Sequence, residues 1–294
     1  MNRKISFESA GTICRGQLFL SQKGQLGPCI VFAHGLTLRA KDGLSSYVEI
    51  FNKNGFHCLV FDYRNFGESD GFYRDHVSVS GQLKDIRNAL DFAKTQPEID
   101  KNKLFLWGTS FGGGHVFSLA AESLGLRGVI SQCPMLDGFE ATLGILRYAG
   151  IWALLRLSAF GLLDVLLKSF TGKSKTIPTV GRPGTIATMA TPEAQELVDI
   201  AAQDWPNRVG ASLLLTAWLY RPIAKSKKLK CPVLVVNCTL DSVAPSEETI
   251  KLHTKHPTLF KMLTFPIGHF ALYREPYRNQ AIAKQIDFLC EKMI

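Results

Sequence analysis

Gly108-Thr-Ser-Phe-Gly112 sets a serine between two glycines. It follows the apolar run Leu104–Trp107 and leads into a helical run through Val116, Leu119 and Ala120 that ends by Gly125. Strand, tight turn and helix are the setting in which G-x-S-x-G presents a nucleophile. Side chains flanking so sharp a turn would collide with neighbouring elements, and the turn holds Ser110 in a strained conformation. In return the hydroxyl stands at the C-terminal edge of the sheet, where open α/β folds place their ligands. A serine hydroxyl is a poor nucleophile until a base removes its proton. His269, in Pro266-Ile-Gly-His-Phe270, follows the predicted strand Lys261–Phe265, and Asp241, in Thr239-Leu-Asp-Ser-Val-Ala-Pro245, follows Pro232–Val236. Both fall at the same sheet edge as Ser110, and Ser, Asp, His is one of the chain orders in which a catalytic triad occurs. Asp137, just after the strand ending near Ile130, is the rival acid. A developing oxyanion needs two preorganised donors. The backbone N–H of Phe111, at the positive end of the helix, supplies one. The Leu36 N–H, in His34-Gly-Leu36 after the strand Cys29–Ala33, supplies the other, because Gly35 lets the backbone approach the site.

Other residues read as support. His34 is a hydrogen-bonded loop residue and His115 a structural one. Gly112-Gly-Gly114 lacks the following Gly-Lys-Ser/Thr of a phosphate loop, so close helix–sheet packing explains it.

The elements that must hold these groups follow from periodicity. Cys29–Ala33, Cys58–Phe61, Leu104–Trp107, Gly128–Ile130 and Pro232–Val236 are near-continuous apolar runs, as expected of parallel strands buried on both faces. Leu83, Ile86 and Leu90 mark one amphipathic helix between strands. Ile282, Ile286, Leu289 and Met293 mark a closing one. Gly24 and Gly27-Pro28 separate this region from an alternating stretch, Thr12 to Leu20, which reads as antiparallel edge strands. The pattern is an α/β doubly wound sheet. About 100 residues separate the strand ending near Ile130 from the next, where a crossover needs a dozen or so. The excess reads as a mostly helical lid over 137–226, inserted into a core of 1–136 and 227–294. Within it Leu143–Leu167 is strongly apolar, broken by Arg147, Arg156 and Asp164, and Lys173–Pro192 is an ordered loop rich in Gly, Pro, Thr and Ser.

The chain has 294 residues, 46% hydrophobic and 20% charged, enough to bury a core without disulfides. The net charge of +9 is scattered, and its densest cluster, Lys225–Lys230, reads as a solvated loop, so no nucleic-acid partner is expected. Seven cysteines show no CxxC and no Cys/His ligand spacing, which gives no support for zinc and fits reduced core thiols in a cytoplasmic protein. No secretory signal is read at the start of the sequence. No stretch reaches about 18 uninterrupted apolar residues, so a spanning helix is not expected.

Together, His34-Gly35, Gly108–Gly112, Asp241 and His269 resemble the α/β-hydrolase superfamily. Asp62-Tyr-Arg-Asn-Phe-Gly-Glu-Ser-Asp-Gly71, Trp107–His115 and Gly268-His-Phe270 are similar to bacterial hydrolases grouped with serine aminopeptidases, Xaa-Pro dipeptidyl peptidases and acetyl xylan esterases, as are Ile177–Gly184 and Met189–Glu193. The resemblance implies an α/β-hydrolase fold, with the lid between the sixth and seventh core strands. It also implies a Ser–His–Asp site without metal or organic cofactor, and Asp62 and Arg64 as turn supports. One departure is that Ala271 and Leu272 stand where such proteins often carry an acidic residue. The expected activity is hydrolysis of a small-molecule carboxylic ester or thioester with an apolar acyl group. The alternatives are a peptidase, for which Asp164, Glu193, Glu196, Asp199 and Asp204 are the available amine-binding carboxylates, and a lipophilic-ligand-binding protein on the same scaffold. Arg147, Arg156 and Lys168 form a cationic rim that would suit membrane or lipid contact through the lid.

Overall fold

The computed structural model describes residues 2–21 and 26–293, so Gly24 lies outside the described residues. In chain order the elements are β1 (Asn2–Ser9), β2 (Thr12–Phe19), β3 (Gly27–Ala33), α1 (Ser45–Lys53), β4 (His57–Phe61), α2 (Val79–Lys94), β5 (Ile99–Thr109), α3 (Phe111–Leu119) and β6 (Leu126–Gln132). After them come α4 (Gly138–Thr171), β7 (Thr176–Ile177), α5 (Glu196–Ile200), β8 (Val209–Gly210), β9 (Val233–Cys238), α6 (Glu247–Lys255), β10 (Lys261–Phe265) and α7 (Tyr277–Glu291). Eight strands form one sheet in the order β1-β2-β4-β3-β5-β6-β9-β10. The β1–β2 and β2–β4 pairs are antiparallel and the other five pairs parallel, as the alternating and continuous apolar patterns require.

The continuous runs divide between the two sheet faces. In β3, Cys29, Val31 and Ala33 join one apolar core while Ile30 and Phe32 join the other. A buried polar chain ties the second layer together. Trp107 Nε1 donates to Gln285 Oε1 at 2.9 Å, Gln285 Nε2 to Gln132 Oε1 at 2.9 Å, and Gln132 Nε2 to the Tyr47 hydroxyl at 3.0 Å. Each of these amides and rings is fully buried, so the partners offset a desolvation cost of about 1–3 kcal/mol per group.

Between β6 and β9 the chain leaves the sheet. The Asp137 carboxylate caps α4 by accepting from the Phe139 and Glu140 N–H groups at 3.0 and 3.4 Å, and the helix ends at Gly172 with φ 68°. Gly150, at φ 77° and ψ 174°, kinks it. By length and composition alone α4 is long and apolar enough to cross a bilayer, although it holds no uninterrupted apolar run of that length. Arg147, Arg156 and Asp164 interrupt every apolar run, so a test for uninterrupted runs passes over it. Lys168 is corrected as a rim cation. Its ammonium donates to the buried Asp164 carboxylate at 2.7 Å and to Ser212 Oγ at 2.9 Å. After α4 the chain holds α5, the short β7–β8 ladder and 3-10 turns, with Pro178, Pro183 and Pro192 limiting helix growth.

Candidate active site

Ser110 sits between β5 and α3 at φ 56° and ψ −120°, a backbone conformation that strains a residue with a Cβ by about 1–3 kcal/mol. Hydrogen bonds hold it there. Its N–H donates to Gln132 O at 2.9 Å, and its carbonyl accepts from Gly114 N and Met135 N at 3.1 and 3.0 Å. The flanking glycines are sterically required. A Cβ on Gly108 would lie 2.4 Å from Gly112 O, and one on Gly112 would lie 2.2 Å from Ala33 O. Gly114 likewise packs against Met135 O, so the glycine run serves close packing.

His269, just past β10, donates from Nδ1 to Asp241 Oδ2 at 2.5 Å. The other oxygen of Asp241 accepts from Val243 N and Ala244 N at 2.8 and 2.7 Å, which fixes the carboxylate's orientation. Both side chains are buried. Burial alone would lower the His269 pKa, but the Asp241 carboxylate overrides it and the pKa stands well above 6.5. Nε2 of His269 lies 3.9 Å from Cys133 Sγ, and among the described residues no hydrogen bond joins it to the Ser110 hydroxyl. Such contacts commonly tighten only when substrate binds. Asp137 is engaged elsewhere: besides capping α4 it accepts from Arg221 at 2.7 Å.

Leu36 and Phe111 line the same cavity as Ser110, and among the described residues neither backbone N–H donates a hydrogen bond. A Cβ on Gly35 would meet Ser110 Cβ at 3.4 Å, which measures how closely this loop approaches. His34 is buried, contacts Gly35 O at 3.1 Å through Nδ1, and burial lowers its pKa, as befits a loop support. His115 lies between Tyr220 OH at 2.7 Å and Gln82 Oε1 at 2.9 Å, and burial pushes its pKa down to about 3. Asp62 accepts from Ala40 N and Glu68 N, and Arg64 binds Asp85, so both brace turns.

Glu193 holds a position its sequence context did not reveal. Its carboxylate accepts from the backbone N–H of His269, and from the N–H and hydroxyl of Ser242 at 2.8 and 2.6 Å. It thus joins the loops that carry Asp241 and His269. A Cβ on Gly268 would lie 2.2 Å from Glu193 Oε1, which shows how closely the carboxylate packs against this loop. The other four carboxylates considered for amine binding are engaged too. Asp164 is fully buried against Lys168, Glu196 and Asp199 pair with Arg274, and Asp204 pairs with Arg39 and Lys41. Among the described residues, no group of three or more His, Cys, Asp or Glu is placed to hold a metal ion.

The cavity beside Ser110 has a volume of about 150 Å³, with α4 on one side through Ala141, Ile145, Leu154 and Leu157. Among the described residues no charged side chain lines it.

Residues 25–265 match the family described as serine aminopeptidase, S33. The chain is 34% identical over 288 residues to the quorum-quenching protein AidA of Acinetobacter baumannii (strain MDR-ZJ06), covering 97% of this chain and 93% of that one. It is 36% identical over 127 residues to the thiohydrolase aneE of Aspergillus aculeatus, covering 43% of this chain and 39% of that protein. The structure of the alpha/beta hydrolase GrgF from Penicillium sp. sh18 superposes with a TM-score of 0.80 at 22% identity, covering 100% of this chain and 99% of that one. With its mostly parallel sheet, its turn-borne serine and a family match spanning most of its length, the chain belongs to the serine aminopeptidase S33 family of α/β hydrolases.

Proposed function

We propose that the protein hydrolyses carboxylic esters or thioesters with an apolar acyl group through Ser110, His269 and Asp241. The observation that carries this reading is the uncharged cavity opening on Ser110. It suits an acyl chain and offers nothing to a free amine, while the five carboxylates that might have held one are paired or hydrogen-bonded elsewhere. A cavity of about 150 Å³ admits an apolar group of benzene size, so the acyl part has roughly six carbons. The thiohydrolase among the relatives supports a thioester as one form of the bond cleaved.

In this mechanism Ser110 Oγ attacks the acyl carbonyl while His269 Nε2 takes its proton. Asp241 holds the Nδ1–H tautomer and stabilises the imidazolium that forms. The Leu36 and Phe111 N–H groups receive the oxyanion, aided by the positive end of α3. The imidazolium then protonates the departing alcohol or thiol, and water, activated by the same histidine, releases the acid. Glu193 acts as a positioning residue that holds the acid and base loops in register. Labelling with a fluorophosphonate probe tests the reading, followed by p-nitrophenyl esters and acyl thioesters of graded length, on wild type and Ser110→Ala. Labelling and sustained turnover in the wild type alone are expected. Equal labelling in both proteins would remove Ser110 as nucleophile, and stoichiometric retention of a lipophilic ligand without turnover would favour a binding protein.

A further inference from the structure

The outer face of α4 is unpartnered. Ile151, Trp152, Leu155, Leu162, Leu166 and Phe170 recur at helical spacing along one side of the helix, and all six are exposed, Trp152 by 75% and Phe170 by 83%. From Ile151 to Phe170 this stripe runs about 30 Å. A contiguous apolar surface of this kind marks an interaction site. The opposite side of the helix is engaged: Leu157, Gly161 and Asp164 are buried, and Leu154 and Leu157 line the cavity beside Ser110. That packing, with the buried Asp164–Lys168 pair in the last two turns of the helix, fits a helix lying along a bilayer surface and not one threading it.

Charge identifies the surface. Arg147 and Arg156 are exposed near one end of the stripe, and Lys173 and Lys175 at the other. Between 137 and 192 no acidic residue is exposed. Asp137 and Asp164 are buried, and the partly buried Glu140 lies 3.9 Å from Arg147. Large aromatic side chains on an apolar stripe with cations at both ends form the pattern of a helix seated at the headgroup level of an anionic membrane. A second copy of the chain complements this face poorly. Two stripes laid face to face bring cations against cations in either orientation, with no exposed acid in the segment to relieve them.

We propose that the outer face of α4 docks the protein on an anionic phospholipid surface, with Trp152 and Phe170 inserted among the acyl chains and the flanking arginines and lysines on the headgroups. The inner face of the same helix borders the cavity, so docking would bring that cavity close to acyl groups dissolved in the bilayer. The membrane contact itself does not depend on the catalytic reading.

Sedimentation with vesicles tests it, using phosphatidylcholine alone or mixed with phosphatidylglycerol, and with tryptophan quenching by brominated lipid as a second readout. Wild type is expected to partition onto the phosphatidylglycerol vesicles and to be released by salt. Trp152→Ser/Phe170→Ser is expected to lower the partition coefficient about a hundredfold with no loss of thermal stability. Arg156→Glu/Lys173→Glu is expected to lower it about tenfold or more at low salt. Wild type that stays in the supernatant with both vesicle types overturns the proposal. So does binding that both double variants retain in full. A wild type that ignores vesicles and sediments as a dimer, which Trp152→Ser/Phe170→Ser dissociates, assigns the stripe to a second copy instead.

Discussion

Asp241→Asn is the sharpest perturbation of the proposed machinery, because the side chain keeps its shape. The oxygen facing Val243 N and Ala244 N, at 2.8 and 2.7 Å, can stay an amide oxygen, so the loop is retained. The amide nitrogen then faces His269 Nδ1, where the carboxylate oxygen stood at 2.5 Å. Two donors cannot share that contact, so the imidazole proton moves to Nε2 and the lone pair needed by Ser110 is lost. An intact geometry with the wrong tautomer lowers kcat by about 10⁴, or about 5 kcal/mol of barrier. The pH dependence moves as well. In the wild type the pKa of His269 lies well above 6.5, and only the neutral ring accepts a proton, so kcat/KM rises with pH through an inflection on the alkaline side of 6.5. Without the carboxylate, burial dominates and the residual activity inflects on the acid side. The same pair contributes stability that is fully present below pH 6.5 and lost as pH rises through the folded-state pKa. Initial rates with p-nitrophenyl hexanoate from about pH 5 to about pH 10 measure the fall in rate and the moved inflection. Activity within tenfold of wild type, or an unmoved inflection, would refute the reasoning. Asp137→Asn is the control: asparagine also caps helices well, the Arg221 side chain of the pair is half exposed, and the carboxylate does not touch His269, so a change of less than about threefold is expected.

Ser110→Ala is expected to abolish turnover and probe labelling while the fold persists. Ser110→Gly should be about 1 kcal/mol more stable than Ser110→Ala by thermal unfolding, since only the glycine relieves φ 56°, and equal stabilities would argue against strain at the turn. Glu193→Gln places an amide nitrogen against the Ser242 or His269 donors. A fall in kcat of about tenfold to a hundredfold with little change in KM is expected, whereas a change in KM alone would point to substrate contact. Asp164→Asn leaves the Lys168 ammonium poorly matched in a buried site and should lower unfolding stability by about 3 kcal/mol, read by urea denaturation. Among p-nitrophenyl esters, kcat/KM should peak near six carbons, and a steady rise to sixteen would show that the cavity of about 150 Å³ does not bound the acyl chain.

Much of the site is legible from local chemistry. The turn at Ser110 advertises itself because its strain and its glycines are confined to five consecutive residues, and the strands because burial on both faces forces every position to be apolar. Asp241 and His269 are legible as strand-end residues for the same reason. The pairing of those two residues required the tertiary structure. Asp137 and Asp241 both follow parallel strands, and only the packing shows one taken up by Arg221 and a helix cap and the other 2.5 Å from the imidazole. Glu193 reaches His269 across 76 residues, Asp164 draws Lys168 off the surface, and α4 turns an apolar stripe outward. Periodicity reports which residues share a face of one element. It carries no record of which distant element, if any, will cover that face or neutralise a charge, because that choice is made by the order in which the strands and the inserted segment pack.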